Sequence, residues 1–573
     1  MRNIIGLAAV LGLMIVAGLV PGAVASGPMK RAAAADDGAG IDLLAYDWSH
    51  LDGAVVGGDG VQVSGLGRAI VPPADMADTP PTANPPINLR GPVLTLRGDF
   101  ALTARLRLGT DGPPQARLTL YGRLPVIQDE WRQPGEALTL AVQGDTLRLS
   151  VQHVSGERET YTRAWRPAES VTLALVRRGE RLTLSANGEP PIAIPVPPVL
   201  ARTRLWPGLD TGVGHAFTLE NLRLRPLGEA SRVAVAPATL VSTPPAPDGL
   251  RALAARNAPH LAIGTAVATN PLLGDPGYAR VLAREFSMVT PENAMKFQFI
   301  HPRPGRYAFA EADAIVDFAE HNGMAVHGHT LAWGEALPRW LSRGDYSDGE
   351  LREILADHIA TVVGRYKGRV AGWDVVNEPL EPFGPGLRRD SPWYRAMGAD
   401  YIAFALRAAH RADPDAALYI NEFACEERNA KSDALYRLAR GLLADGVPLD
   451  GIGFQLHEDL TDDYRPVTAA AFRDNVRRFI DLGLAVRISE MDVNLHDDAS
   501  PARLQQQAAY YASMLALARD IPAFSAFSTW GFTDRYSSLQ DWWNPDGLGN
   551  GLIFDPALRP KPAYDALRRV LAR

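Results

Sequence analysis

Two glutamates stand where apolar, strand-like stretches of the chain end. Glu378 follows the run 373–377, and Glu490 follows the run 486–489. A carboxylate at the end of a buried strand costs free energy unless it is paired, so each one is expected either to form an ion pair at the rim or to do chemistry. Two carboxyl groups in one cleft suit hydrolysis of a glycosidic bond. One can donate a proton to the leaving oxygen, while the other attacks or activates water at the anomeric carbon.

The elements that must position these side chains form an alternating pattern. From residue 249 onward, eight strand-like runs alternate with amphipathic helical stretches over about 325 residues, which predicts an α/β fold, a (β/α)8 TIM barrel. The predicted strands are 261–267, 287–290, 325–331, 370–376, 417–423, 451–456, 485–489 and 525–530. Such a barrel places its active site at the C-terminal strand ends. Polar or aromatic residues at these ends are Glu292, Asn293, Lys296, His327, His329, Trp333, Asn377, Glu378, Glu422, Gln455, His457, Glu490, Asp492 and Trp530.

The residues before the barrel follow a different pattern. Between residues 100 and 226, short runs alternate apolar and polar side chains with the period of half-buried strands, and turn residues such as Gly144-Asp145 and Asn187-Gly188 separate or follow them. This pattern predicts an all-β sandwich over residues 40–230. A stretch rich in Pro and Ala, residues 231–248, is predicted to link the sandwich to the catalytic barrel at 249–573.

Four aromatic residues of the predicted sandwich have two interpretations. Trp131, Tyr161, Trp165 and Trp206 could stack on sugar rings, which would make the sandwich an accessory domain that binds polysaccharide. Aromatic side chains in a sandwich are also common core residues. Both interpretations stay open at the level of sequence.

The N-terminus and the composition bound the setting of the protein. A charged start, the apolar run 4–20 and Ala23-Val24-Ala25 indicate a signal peptide, residues 1–25, and hence a secreted or periplasmic protein that meets a membrane only if this segment stays uncleaved. The net charge of −7 is unlike that of a nucleic-acid binder. The single cysteine, Cys425, excludes an internal disulfide and a cysteine-ligated metal site. We expect a monomer that needs no cofactor.

Six segments of the barrel region follow one another in a recognisable order. The first three are 290–296 (TPENAMK), 328–333 (GHTLAW) and 373–379 (WDVVNEP). The next three are 453–457 (GFQLH), 488–492 (ISEMD) and 529–534 (TWGFTD). Together they resemble the catalytic domain of glycoside hydrolase family 10, the endo-1,4-β-xylanase family, over residues 250–573.

The resemblance implies a retaining double displacement on the internal β-1,4 bonds of xylan. Glu490 would be the nucleophile, and Glu378 would be the general acid and then the general base. Asn377 would bind the sugar 2-hydroxyl, His457 would hold the nucleophile, and Asp492 would orient that imidazole. The other residues implied to bind sugar are Glu292, Asn293, Lys296, His329, Trp333, Gln455 and Trp530.

Two departures from the family pattern concern sugar subsites. After Trp333 the family commonly has His, a small residue and Gln, whereas this chain has Gly334-Glu335-Ala336. The missing Gln usually serves the second glycone subsite, so preference there is expected to differ. The family also commonly has a Trp over the sugar at the cleavage point, where this chain has Ser538, and Trp542 or Trp543 could fill that space.

Two alternatives come from other functional classes. A metal-dependent hydrolase could use the pair His327 and His329 with His457 and Asp492 as ligands. A catalytically inactive barrel could bind carbohydrate, which the altered subsites would favour. Because both carboxylates and their supporting residues are present, the sequence favours the hydrolase and predicts no metal site.

Overall fold

The structure is a computed structural model that describes most of the chain from Gly40 onward. The described residues are 40–46, 48, 54–57, 60–64, 93–110, 113–123, 126–128, 131–133, 136–153, 155, 157–202, 204–211, 215–236, 242–302, 304–305, 307–460, 465–496, 498–539 and 549–573. The predicted signal peptide, residues 1–25, lies outside them, as do Trp542 and Trp543. Those expectations therefore stay predictions.

The alternating runs of the N-terminal half form antiparallel strands. They are β1 (Ile41–Asp42), β2 (Ala54–Gly57), β3 (Gly60–Ser64), β4 (Val93–Arg97), β5 (Phe100–Leu108), β6 (Gln115–Arg123), β7 (Val126–Gln128), β8 (Trp131–Gln133), β9 (Glu136–Gln143), β10 (Thr146–Gln152), β11 (Arg158–Ala164), β12 (Ser170–Arg178), β13 (Arg181–Ala186), β14 (Ile192–Pro195), β15 (Trp206–Asp210), β16 (Ala216–Pro226) and β17 (Arg232–Ala236). One sheet has the order β14-β13-β12-β5-β16-β3-β2, with β1 paired to β16. A second has the order β11-β10-β9-β6-β15.

The two larger sheets share one aliphatic core. Side chains that alternate along the strands point inward, so that Leu102, Leu140, Leu149, Leu175 and Leu219 are all buried in a single cluster. Burial of each such side chain stabilises the fold by about 1.5–3 kcal/mol. The predicted all-β domain is therefore present, and its two sheets pack as a sandwich.

The aromatic residues proposed to bind sugar fall into different environments. Trp165 and Trp206 are both buried, and the Trp165 indole N–H donates to the carbonyl oxygen of Gly144 (3.1 Å). These two indoles are therefore buried and do not form a stacking surface, and Trp165 belongs to the core that the two sheets share. Tyr161 is half-buried on β11, where its hydroxyl donates to Glu159. The side chain of Trp131 lies outside the described residues.

The predicted linker, residues 231–248, requires a correction at its start. Strand β17 pairs antiparallel with β4 along its whole length, from Arg232 opposite Arg97 to Ala236 opposite Val93. The alternation of Val with Ala and Arg in this segment is a strand pattern, which a reading by composition alone overlooks. At the other end, Ala246 is buried and its N–H donates to the Arg284 carbonyl oxygen. The exact domain boundaries remain predictions.

The C-terminal half is the predicted barrel. Its strands are β18 (Ala262–Val267), β19 (Met288–Pro291), β20 (Ala325–Ala332), β21 (Gly372–Asn377), β22 (Ala417–Glu422), β23 (Gly451–Phe454), β24 (His457–Asp459), β25 (Ala485–Asn494) and β26 (Phe524–Thr529). All pairs among them are parallel, β26 pairs with β18, and β23 pairs with β25, so the sheet closes. The short β24 extends the line of β23 and pairs with β25. The prediction of a (β/α)8 barrel is confirmed.

Helices cover the outside of the barrel strands. They are α1 (Leu250–Asn257), α2 (Thr269–Gly274), α3 (Pro276–Glu285), α4 (Phe297–Ile300), α5 (Ala310–His321), α6 (Arg339–Ser342), α7 (Asp348–Arg365), α8 (Pro392–Met397), α9 (Asp400–Ala412), α10 (Ala430–Ala444), α11 (Ala469–Ile480), α12 (Pro501–Asp520) and α13 (Pro562–Leu571). Ser347 and Glu350 begin α7 with a reciprocal capping box. Within the described part of the chain, no helix is both long and apolar enough to cross a membrane.

Candidate active site

Backbone hydrogen bonds continue the barrel beyond its strand ends and fix the predicted site residues there. In each bond a backbone N–H donates to a backbone carbonyl oxygen at 2.9–3.1 Å. The donor and acceptor residues are Glu292 and Val267, Glu378 and Asn421, Gln455 and Glu422, Glu490 and Gln455, and Trp530 and Met491. Glu378 adopts a φ of +49°, a left-handed conformation that costs a non-glycine residue about 1–3 kcal/mol. Such strain is typical of side chains that the fold holds for function.

The Glu378 carboxyl lies in surroundings that favour its protonated form. Its oxygens accept hydrogen bonds from the Trp333 indole and the Gln455 amide, both at 3.0 Å. Burial is the main cause that raises the pKa of Glu378, and the negative charges of Glu335 and Glu490 raise it further. These effects outweigh the two hydrogen bonds, which lower the pKa. The group can therefore hold a proton to donate.

The Glu490 carboxyl lies in surroundings of the opposite kind. It accepts a hydrogen bond from Asn421 Nδ2 (2.6 Å) and lies 3.3 Å from His457 Nε2. Burial alone would raise the pKa of Glu490, but the hydrogen bond with His457 and the charges of His329 and His457 lower it overall. The other ring nitrogen of His457 contacts Asp492 (2.9 Å), and the two carboxylates raise the imidazole pKa against the effect of burial. These contacts therefore favour the ionised form of Glu490 and the protonated form of the His457 imidazole.

The register of the parallel strands explains why these partners meet. Asn377 of β21 lies opposite Asn421 of β22, and His457 of β24 lies opposite Asp492 of β25. Asn421 Nδ2 donates to both Asn377 Oδ1 (3.0 Å) and Glu490 Oε1, while Ser489 Oγ donates to Asn421 Oδ1 (2.7 Å). Every polar atom of the buried Asn421 amide thus has a partner, which fixes its orientation.

Two glycines of the sequence motifs make room for this packing. A Cβ on Gly453 would lie 2.2 Å from Asn421 Oδ1, so only glycine fits opposite that amide. A Cβ on Gly328 of β20 would lie 2.1 Å from the ring of Trp373, the residue opposite it on β21. The glycines of the segments GFQLH and GHTLAW are therefore needed for close approach, with no requirement on φ.

The two histidines of the H-x-H pair share one carboxylate. His327 Nε2 and His329 Nδ1 contact the two oxygens of Asp374 at 2.8 and 2.9 Å, with all three side chains buried. Burial lowers the pKa of His327 to about 4. No three His, Cys, Asp or Glu side chains converge as metal ligands among the residues that the structure describes. The contacts of this pair give it a structural and positioning role beside the site.

A second group of side chains forms a mixed aromatic and cationic surface. The buried Lys296 ammonium lies 5.2 Å from the Trp333 ring centroid and 6.0 Å from that of Trp530. The ring of His329 meets Trp530 edge-on at 5.2 Å. Apolar ring faces beside hydrogen-bonding groups suit the binding of sugars.

The end of the second predicted strand contributes to the same side of the barrel. Glu292 is buried and Asn293 half-buried in the turn after β19. This turn leads directly to Lys296, whose N–H donates to the Asn293 carbonyl oxygen (2.9 Å). Contacts therefore join most of the predicted site residues directly, and this turn carries the rest. The roles assigned to them stay predictions.

The barrel matches a known family model. Residues 249–570, more than half of the chain, match the model of glycosyl hydrolase family 10. The chain belongs to glycosyl hydrolase family 10.

Relatives within family 10 support the same assignment. Endo-1,4-beta-xylanase B of Thermotoga neapolitana is 44% identical over 295 residues, which are 51% of this chain and 83% of that protein. The crystal structure of xylanase 10B from Thermotoga maritima has 44% identity and a TM-score of 0.53, and the match covers 56% of this chain and 98% of that one. Xylanase 10B from Thermotoga petrophila, solved in complex with xylobiose, has 43% identity and a TM-score of 0.53 over 56% and 97% of the two chains.

Three residues of this family 10 site escape the sequence reasoning. Asp374 and Asn421 are buried polar residues inside apolar runs, and the cost of such burial that pointed to Glu378 could have pointed to them. The third, Arg388, is buried in the loop after β21, where its Nη1 lies 3.5 Å from Glu378 Oε2. Nothing in the loop sequence indicates that contact.

Proposed function

We propose that this protein is an exported endo-1,4-β-xylanase that hydrolyses internal bonds of xylan with retention of configuration. The contrast between Glu378 and Glu490 carries the proposal. Burial and neighbouring negative charge favour the protonated form of Glu378, whereas His457 and Asn421 hold Glu490 as a carboxylate. One site thus supplies both a proton donor and a nucleophile, as the retaining reaction needs.

The first chemical step uses both groups together. Glu378 transfers its proton to the glycosidic oxygen while Glu490 attacks the anomeric carbon, so the glycosidic bond breaks and a glycosyl-enzyme ester forms. In the second step the Glu378 carboxylate accepts a proton from water, and the resulting hydroxide displaces Glu490 from the anomeric carbon. Two inversions leave the configuration unchanged. His457 keeps Glu490 ionised before the attack and oriented during it.

Substrate recognition is assigned to the side chains around this pair. Trp333 and Trp530 offer ring faces to the sugars, and Lys296 offers donors between them. Asn377, whose side-chain oxygen accepts from Asn421, is assigned the binding of the 2-hydroxyl of the sugar at the cleavage point. The xylanase names of the relatives and the xylobiose bound to one of them support xylan as the polysaccharide.

Product analysis tests the proposed substrate. The purified protein should release short xylo-oligosaccharides from arabinoxylan and glucuronoxylan and leave mixed-linkage β-glucan largely intact. Release of single sugars from chain ends would contradict internal cleavage. Binding of xylan without any hydrolysis would favour an inactive carbohydrate-binding barrel instead.

Two alanine variants test the roles of the carboxylates. Glu490→Ala should lose activity because the first step has no nucleophile, and a small anion should restore turnover only with inverted configuration. Glu378→Ala should fail on xylan but still form the glycosyl-enzyme from an activated aryl glycoside, and azide should then give a product of retained configuration. General acid–base catalysis contributes about 10²–10⁴-fold. Near-wild-type activity of either variant on xylan would show that its assignment is wrong.

Export is supported by the sequence of residues 1–25 alone. Residues 4–20 form an apolar run, and Ala23-Val24-Ala25 precedes Ser26 as a cleavage motif would. The mature chain should therefore begin near Ser26 outside the cytoplasm. N-terminal sequencing of the protein from its native cells checks this, and recovery of an intact Met1 from the cytoplasmic fraction would contradict it.

A further inference from the structure

The loop after β21 places a buried guanidinium beside the proposed acid. Arg388 Nη1 lies 3.5 Å from Glu378 Oε2, and its Nη2 lies 2.8 Å from Glu335 Oε1 and 3.4 Å from Asp390 Oδ2. The Arg388 N–H also donates to the Pro379 carbonyl oxygen (2.9 Å), which holds the loop against the strand end. One cation therefore bridges the Glu378 carboxyl to a second carboxylate.

Arg388 is buried, whereas its partners Glu335 and Asp390 are more exposed. The side chain of Arg388 is 10% exposed, whereas those of Glu335 and Asp390 are 48% and 72% exposed. An arginine stays charged when buried, so it needs compensation, and Glu335 gives the shortest contact. Glu335 stands in the Gly334-Glu335-Ala336 segment that departs from the family pattern, so the departure brings a new charge close to the catalytic pair.

Charged and polar groups surround Glu378 from every neighbouring element. They are Trp333 and Glu335 after β20, Arg388 and Asp390 in the loop after β21, Glu422 of β22, Gln455 after β23 and Glu490 of β25. Two of the carboxylates have cations of their own, because Lys431 contacts Glu422 (2.9 Å) and His457 contacts Glu490. Arg388 is the cation nearest to the other two, and it lies closer to Glu335 (2.8 Å) than to the more exposed Asp390 (3.4 Å).

We propose that Arg388 and Glu335 act as a matched charge pair that positions the Glu378 carboxyl and sets the pH range over which it carries its proton. The proposal rests on the acid–base role assigned to Glu378 above. Alone, the Arg388 charge would favour the ionised carboxylate and weaken the acid. Glu335 offsets that charge, so Glu378 keeps its proton until transfer, and Arg388 then stabilises the carboxylate that remains.

Charge-removing variants should shift the alkaline limb of the kcat/KM profile in opposite directions, since this limb reports the pKa of the acid in the free enzyme. Glu335→Gln removes the closest compensating charge of Arg388 and leaves only the more exposed Asp390, so the limb should move to lower pH by about 0.5–1 unit. Arg388→Met leaves Glu335 unbalanced, so the limb should move to higher pH. Removing both charges together should return the limb close to its wild-type position.

A second readout separates positioning from charge. Arg388→Met should lower kcat several-fold at the optimum with little change in KM, because the carboxyl loses its orienting contact while the sugar-binding residues stay intact. Arg388→Lys should restore the limb of the profile, because it restores the charge. Thermal unfolding of each variant checks that it is folded. If Arg388→Met does not fold, the pH profile of Glu335→Gln still tests the proposal.

A matched control uses the ion pair between Arg369 and Glu320 on the outer surface of the barrel (2.7 Å). Glu320→Gln also removes one carboxylate from an arginine partner, and it should leave the pH profile unchanged. Shifts in the same direction for both single variants, or no shift in either, would overturn the proposal. Full activity of Glu378→Ala on xylan would instead overturn the assigned acid, so the two failures are distinguishable.

Discussion

The interiors of the sandwich and the barrel are built from different side chains. The sandwich core is a cluster of Leu, Val, Ile, Phe, Ala and two Trp residues, and few polar side chains are buried in its described part. The barrel has an aliphatic core as well, but its strand ends bury carboxylates, imidazoles, amides and a lysine. Buried polar groups are costly unless they are paired. The barrel therefore gives up stability for a charged, ordered site, which the described sandwich does not have.

The largest effect is expected where a buried charge loses its partner. Lys431 Nζ contacts Glu422 Oε1 (2.9 Å), and burial, together with the charge of Glu378, still raises the pKa of Glu422 to about 7. Lys431→Met should lower the free energy of unfolding by about 3–5 kcal/mol at pH 8. The loss should shrink toward pH 5, because protonated Glu422 needs no cation. Denaturant titrations at the two pH values measure this, and an equal loss at both would contradict the explanation.

A matched truncation in the sandwich sharpens the comparison. Leu175→Ala removes a fully buried aliphatic side chain and should cost about 2–5 kcal/mol at either pH. Because no charge is involved, this loss should not vary with pH. Xylan hydrolysis at a temperature where the variant is folded should equal that of the wild type.

The next largest effect should come from Asn421, whose amide donates to the proposed nucleophile Glu490. Asn421→Ala removes the donor to both Asn377 and Glu490, so kcat on xylan should fall about 100-fold or more, as for the loss of other preorganised donors. The control is Thr139→Ala, which breaks the hydroxyl pair with Thr119 in the sandwich (3.1 Å). That variant should keep wild-type kinetics. Similar losses in both variants would mean that general destabilisation explains the effect.

A pair of glycine variants tests the role of the Asn421 amide by steric means. Gly453→Ala would press a methyl group onto the Asn421 amide, so kcat should fall about tenfold or more as Glu490 loses its alignment. Gly441 lies in α10, and apart from the backbone of its own helix no described atom lies within 4 Å of an added Cβ. Gly441→Ala should therefore be neutral or stabilise the protein by up to about 1 kcal/mol. Steady-state kinetics and thermal unfolding of both variants test the contrast.

A smaller effect should appear in the dependence of stability on pH. His301 and His358 stack on Phe297, and none of their ring nitrogens has a hydrogen-bond partner within the described residues. Burial lowers the pKa of His301 to about 4 and that of His358 well below its usual value. Above about pH 6.5 both rings are neutral in the folded and in the unfolded chain, and the free energy of unfolding is at its full value. As pH falls toward 4, the unfolded chain binds protons at these histidines before the folded chain does, so the free energy of unfolding decreases.

Replacing one of these rings tests the explanation. His358→Phe should flatten the fall in unfolding free energy between pH 6.5 and 4 by about 1–2 kcal/mol, provided that the phenyl ring keeps the stack. A fall as steep as that of the wild type would contradict the role of this ring. The described part of the sandwich buries no histidine. The sandwich variants Leu175→Ala and Thr139→Ala should therefore leave the slope of unfolding free energy against pH unchanged.

The smallest effect on activity is expected from removing the sandwich altogether. Tyr121 of β6 and Leu273 of α2 both pack against Ala314 of α5, a small cluster compared with the two cores. A fragment of residues 247–573 should therefore hydrolyse soluble xylan within roughly twofold of the full chain. If the fragment is insoluble while the full chain is active, the predicted boundary is wrong.

Strand periodicity predicted the two folds because burial on one face or on both leaves a visible pattern. Glu378 and Glu490 were visible for a related reason, as charges directly after apolar runs. Asn421 was not predicted as a site residue, because the charged Glu422 directly after it is the more conspicuous polar residue at the end of the same strand. The contact of Arg388 with Glu335 depends on how two loops fold back over the barrel, and no local pattern records that.

The hydrogen bonds that lead from Ser489 to Glu490, the proposed nucleophile, all run in one direction. Ser489 donates to Asn421, and Asn421 donates in turn to Asn377 Oδ1 and to Glu490. Asn377 Oδ1 is thereby used as an acceptor, so its nitrogen is the atom that can donate to a ligand. If Asn377 binds the sugar 2-hydroxyl as proposed, a hydroxyl between Asn377 and Glu490 would accept from the amide and give its own proton to the carboxylate. The polarity of this chain thus selects a substituent with both a lone pair and a proton, which an ether or a fluorine at that carbon does not supply.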